Sequence, residues 1–124
     1  MARILVVDDD DGFREMFVEM LHQGGYDTTT AANGNQAIES YRKDPPDLVV
    51  TDIIMPDKEG IETITELLDE FPDAKIIVVS GGGGIGPHDY LETALMFGAK
   101  RAFSKPFRLA EMLAAVGELI GEQD

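Results

Sequence analysis

Apolar positions along the chain follow two alternating rhythms. Ile4-Leu5-Val6-Val7 is a short β-branched run, the pattern of a strand buried on both faces of a parallel sheet. Phe13, Met16, Phe17, Met20 and Leu21 then recur every three or four residues, a helical stripe that Gly24-Gly25 stops. Thr28-Thr29-Thr30-Ala31 predicts a weaker strand, and Ala37, Ile38 and Tyr41 a short helix closed by Pro45-Pro46. Leu48-Val49-Val50-Thr51 predicts a third strand ending at Asp52, and Ile61, Ile64, Leu67 and Leu68 a helix ended by Pro72. Ile76-Ile77-Val78-Val79 predicts a strand ending at Ser80, ahead of the glycines at 81–84. Leu91, Ala94, Leu95 and Met96 predict a helix with Gly98 at its C-terminal end. Ala102-Phe103-Ser104 is a short strand running into Lys105-Pro106, and Leu109, Met112, Leu113, Val116 and Ile120 mark a last helix. Strand and helix alternate throughout. Strands joined through helices run parallel by right-handed crossovers, so the fold class is α/β, a doubly wound parallel sheet of five strands.

Composition narrows this picture. A length of 124 residues predicts one domain spanning 1–124, and 44% hydrophobic with 27% charged residues is a globular profile. The absence of cysteine excludes disulfides, thiolate metal sites and cysteine nucleophiles. A formal charge of −14 argues against binding nucleic acid through its phosphates and against an anionic membrane surface. The opening stretch is too short before its carboxylates for a signal peptide or a membrane span, so the expectation is a cytoplasmic protein.

Open parallel sheets bind ligands beyond the carboxyl ends of their strands. Asp8 and Asp9 follow the first predicted strand, Asp52 ends the third, Ser80 ends the fourth with glycines behind it, and Lys105 follows the fifth. Topology alone thus gathers carboxylates, a hydroxyl, glycine amides and an ammonium on one edge. Clustered carboxylates repel unless a cation lies among them, and an all-oxygen set suits Mg²⁺ or Mn²⁺. A lysine, a hydroxyl and backbone amides beside such a metal suit a phosphoryl group, with a carboxylate as its covalent acceptor. Asp10 and Asp11 read instead as carboxylates of a solvated helix N-terminus, in capping or surface positions favoured by the dipole. His22 reads as a solvated helix residue. His88, near a helix start, reads as a surface cap rather than a phosphodonor.

The motifs ILVVDDD at 4–10, DLVVTDIIMP at 47–56, VVSGG at 78–82 and FSKPF at 103–107 resemble, in this order and spacing, the receiver domain of two-component response regulators. The resemblance covers essentially the whole chain and implies a stand-alone, chemotaxis-regulator-like receiver. It implies a (βα)5 flavodoxin-like fold with strand order 2-1-3-4-5. Asp52 is then the phosphoacceptor. Asp9 and Asp52 ligate Mg²⁺ directly with the backbone carbonyl of Ile54, and Asp8 acts mainly through a metal-bound water. Ser80 is the switch hydroxyl, helped by the Gly81 amide, and Lys105 pairs with the phosphoryl oxygens. The donor is a histidine kinase or a phosphotransfer protein, and the chain catalyses only its own phosphorylation and dephosphorylation.

Two departures from the family pattern stand out. Ala102 occupies the position three before the lysine where an aromatic is usual, and strand alternation points Phe103 to the other face. Ile54 and Gly82 replace polar residues that often position the hydrolytic water. Two rival readings share the edge chemistry. A Mg²⁺-dependent phosphatase with an aspartate nucleophile after the first strand fits the spacing of Asp8 and Asp10, although no sequence remains for a cap domain. A flavodoxin-like flavin carrier is disfavoured by the lack of Trp and by carboxylates at the phosphate edge.

Overall fold

A computed structural model describes residues 2–52, 60–80, 87–104 and 107–121, without the side chains of 60 and 87–91. The elements alternate as the periodicity predicts: β1 (Arg3–Val7), α1 (Asp11–Gln23), β2 (Asp27–Ala31), α2 (Gly34–Lys43), β3 (Leu48–Asp52), α3 (Gly60–Glu70), β4 (Ile76–Ser80), α4 (Pro87–Met96), β5 (Arg101–Ser104) and α5 (Leu109–Gly121). The sheet is wholly parallel, in the order β2-β1-β3-β4-β5.

The side-chain period of two sorts each strand between two cores. Ile4, Val6, Leu48, Val50, Ile77 and Val79 face α1 and α5, where they meet Phe17, Leu21, Met112, Val116 and Leu119. Leu5, Val7, Val49, Ile76 and Val78 face the other way and meet Ala37, Ile38, Ile64, Leu67 and Ala94 of α2, α3 and α4. Burial on both faces explains why these strands read as continuous apolar runs. The edge strand β2 keeps only Ala31 fully buried, which explains its threonines.

Local chemistry fixes the helix ends. The Asp10 carboxylate caps α1 by accepting the Phe13 N–H at 3.0 Å, and Asn33 caps α2 by accepting that of Gln36 at 2.9 Å. Helices α1 and α4 both end in a paired-bond turn around a glycine with positive φ, Gly25 at 90° and Gly98 at 118°. After α4, Ala99 N–H bonds the Ala94 carbonyl at 3.0 Å and Gly98 N–H that of Leu95 at 3.1 Å. Gly98 has a second reason to be glycine, since a Cβ there would lie 2.5 Å from Leu68 Cδ1.

The amino-terminal edge of the sheet is stitched by cations. Arg3 N–H donates to Asp47 Oδ2 at 2.8 Å, while its guanidinium reaches the carbonyls of Asp44 and Pro45 and pairs with Asp44 Oδ2 at 2.9 Å. Lys75, just ahead of β4, donates to the Leu119 carbonyl in the last turn of α5 at 2.6 Å. No described helix is long and apolar enough to cross a membrane.

Candidate functional site

At the opposite edge, register does the assembling. Val7 of β1 lies beside Thr51 of β3, so the next residue of each chain path, Asp8 and Asp52, emerges from neighbouring strands. Asp52 pairs with Val79 of β4, which brings Ser80 to the same edge one residue further on. Asp8 is 1% exposed, Asp52 7% and Ser80 0%, whereas Asp9 is exposed to solvent. Carboxylates are rarely buried to this extent without a partner or a metal, which sets Asp8 and Asp52 apart from the other acidic groups of the surface.

Asp8, Asp9 and Asp52 each offer an oxygen, and these oxygens lie within 4.8 Å of one another. Oxygens on opposite sides of an octahedral Mg²⁺ are about 4.2 Å apart, so small side-chain adjustments bring this set to a hard divalent cation. The donors are all carboxylate, and Asp9 is exposed to solvent. The residues present therefore fit the metal that the sequence suggests.

The surroundings hold these groups in place. Asp8 Oδ1 accepts the Asp10 N–H at 2.9 Å, and Asp8 N–H extends the β1–β2 ladder to the Ala31 carbonyl at 3.1 Å. The buried Thr51 hydroxyl donates to the Asp52 carbonyl at 3.0 Å. Asp10 is spent on capping α1 and takes no place in the cluster, which removes the spacing that favoured a phosphatase using Asp8 and Asp10. Asp11 pairs with Arg14 and is exposed. His22, likewise exposed, lies 3.0 Å from Thr28 Oγ1.

Of the residues singled out from the sequence, Asp8, Asp9 and Asp52 converge and Ser80 ends the neighbouring strand. Gly81, Lys105 and Ile54, together with Gly82, lie outside the described residues, as does the side chain of His88. Phe103 faces the α1–α5 core, with its ring 6.0 Å from that of Phe107, and Ala102 packs on the opposite core, as alternation requires. Sequence reasoning passed over Arg14. Its Nη1 donates to the Asp8 carbonyl at 2.6 Å, directly behind the acidic cluster. The available signal was an arginine six residues after Asp8, one turn into the helix that follows.

A five-stranded parallel sheet carrying clustered acids at its carboxyl edge defines a class of α/β proteins with a site for a cation and an anionic group. The family profile described as response regulator receiver domain matches residues 4–117, and the chain belongs to that family. It is 36% identical over 118 residues to the chemotaxis protein CheY of Thermotoga maritima, covering 94% of this chain and 96% of that protein. It is 34% identical over 114 residues to sporulation initiation phosphotransferase F of Bacillus subtilis, covering 92% and 90%. Among solved structures, a receiver domain protein from Clostridium thermocellum superposes with a TM-score of 0.92 over 99% of this chain and 97% of that one, at 24% identity, a likeness of fold. Receiver domains are signalling domains, and the chain is a phosphorylation-dependent switch of the two-component type.

Proposed function

We propose that Asp52 accepts a phosphoryl group from a phosphohistidine on a histidine kinase or phosphotransfer protein, in a single receiver domain spanning residues 1–124 that works in the cytoplasm. The observation that carries this reading is the buried Asp52 carboxylate, set at a strand end beside Asp8 and Asp9 with their oxygens within 4.8 Å. An Asp52 oxygen attacks phosphorus, the P–N bond to the donor imidazole breaks, and the imidazole leaves with the bond's electron pair, to be protonated. Receiver domains bind Mg²⁺ at an acidic aspartate cluster. Here Asp8, Asp9 and Asp52, with the Ile54 carbonyl, would hold the ion, Asp8 mainly through water. When bound, it neutralises charge on the phosphoryl oxygens.

The remaining roles belong to the chain. Lys105 places an ammonium on the phosphoryl oxygens, and Ser80 with the Gly81 amide donates hydrogen bonds to them. Ser80 is fully buried at the end of β4, so a hydroxyl drawn toward the phosphoryl group moves a packed strand end. That movement alters the surface read by a downstream protein partner. No catalysis beyond the chain's own phosphorylation and dephosphorylation is invoked, and neither a nucleic acid nor a membrane is a partner. The test is incubation with a small acyl-phosphate donor and Mg²⁺, followed by intact mass and mapping of the modified residue. One added phosphoryl group on Asp52 is expected. A group mapped elsewhere, or none, overturns the assignment. Rapid turnover of a generic phosphoester would instead favour a phosphatase.

A further inference from the structure

Residues 8–11 are four consecutive aspartates, and like charges in a row resist confinement. The structure nonetheless pins this segment at both ends with one side chain. Arg14 Nη1 donates to the Asp8 carbonyl at 2.6 Å, and Nη2 pairs with Asp11 Oδ1 at 2.5 Å. Arg14 belongs to the first turn of α1, where its own N–H bonds the Asp10 carbonyl at 2.9 Å. Its side chain is 18% exposed, against 82% for Asp11. Among the described residues, neither Nη bond goes to a carboxylate of the cluster. The guanidinium grips the backbone that carries Asp8 and Asp9 instead of competing for their oxygens.

We propose that Arg14 is a positioning residue for the acidic cluster: its two-pronged grip on the Asp8 carbonyl and on Asp11 sets the path of residues 8–11, and so the geometry that Asp8 and Asp9 present to a divalent cation. The inference rests on the metal site proposed above. A planar fork with two separated amines can hold two acceptors at fixed spacing, which a lysine cannot reproduce. Groups that orient ligands without touching the metal commonly govern its affinity.

A second role for this cation, a simple counter-charge for the carboxylates, predicts the opposite result. Removing a positive charge beside three carboxylates strengthens Mg²⁺ binding by Coulomb attraction alone, whereas removing a positioning clamp weakens it. The experiment measures Mg²⁺ affinity by calorimetry for the parent chain, Arg14→Met and Arg14→Lys, with melting temperatures in EDTA as a separate readout. The clamp predicts Mg²⁺ binding about tenfold weaker in Arg14→Met. It also predicts weaker binding in Arg14→Lys despite the retained charge, with the loss exceeding any change in metal-free stability. Unchanged or tighter binding in Arg14→Met overturns the clamp. If Arg14→Met does not fold, Arg14→Lys decides alone, and parent-like affinity in it overturns the clamp. A parent chain that binds no Mg²⁺ overturns the proposed metal site, and the clamp with it.

Discussion

The two edges of one sheet handle charge in opposite ways. At the amino edge, the Arg3 guanidinium is matched to Asp44 and the Pro45 carbonyl, the Arg3 backbone N–H to Asp47, and Lys75 to the last turn of α5. These bonds join segments more than 40 residues apart in sequence, and among the described residues they leave only the buried Arg3 Nε without a hydrogen-bond partner. At the carboxyl edge, Asp8, Asp9 and Asp52 are gathered to within 4.8 Å, and the nearby Arg14 is spent on a backbone carbonyl and on Asp11. One edge spends its cations on bonds between distant segments and holds the fold together. The other gathers carboxylate oxygens, a set suited to a hard divalent cation.

The sharpest contrast comes from one atom at the carboxyl edge. Asp52→Asn is isosteric but not nucleophilic, and we expect it to abolish acyl-phosphate formation by intact mass while the urea midpoint stays at or above that of the parent. A large loss of stability in this variant would erase the distinction between the edges. The reciprocal change, Arg3→Met, removes several hydrogen bonds from a charged group and should cost about 2 kcal/mol in urea unfolding. Phosphorylation should be unaffected, and a phosphorylation defect out of proportion to the stability loss would show the edges to be coupled.

Mg²⁺ sharpens the comparison further. At ten times its dissociation constant, a ligand binding only the folded chain stabilises it by about 1.4 kcal/mol. The melting temperature should rise accordingly in the parent and in Arg3→Met, and the rise should largely vanish in Asp9→Ala. A melting curve in the parent indifferent to millimolar Mg²⁺ would count against the carboxyl edge as a cation site.

The lifetime of the phosphorylated state is expected to depend on two positions that the receiver family pattern sets beside the phosphoacceptor. Neither Ile54 nor Gly82 has a side chain able to orient an attacking water, so phosphorylated Asp52 should be long-lived. Ile54→Asn or Gly82→Glu should speed hydrolysis about tenfold if either lowers the barrier by about 1.4 kcal/mol. Equal or slower decay in both variants would move control of the lifetime elsewhere.

The smallest effect belongs to Tyr41, whose ring lies 4.5 Å from that of Phe71. Burial, and secondarily the negative charge of Asp73, raise its phenol above the ordinary value of 10.0. The folded state therefore holds this proton more tightly than the unfolded one. That stability is present below pH 10 and is lost as pH rises through the folded value. Tyr41→Phe should keep the ring contact and flatten the alkaline limb of a stability–pH curve. An unchanged limb would assign it to other groups.

Much of this molecule could be read one residue at a time. β-Branched runs, helical stripes and the glycines after α1 and α4 mark the elements, because their signals are local: a period of two or 3.6, or a turn that needs positive φ. The rule that parallel strands carry function at their carboxyl ends points to Asp8, Asp9, Asp52, Ser80 and Lys105 from the sequence alone, the last outside the described residues. Spatial strand order came from resemblance, because the chain does not state which strands will be neighbours. Only the folded structure decided that Val7 lies beside Thr51, that Asp10 turns away to cap a helix while Asp9 stays in the cluster, and that Arg14 reaches back to the Asp8 carbonyl. It also decided the bond from Arg3 to Asp47. These depend on register, helix entry angle and side-chain direction, which arise when distant segments pack against one another.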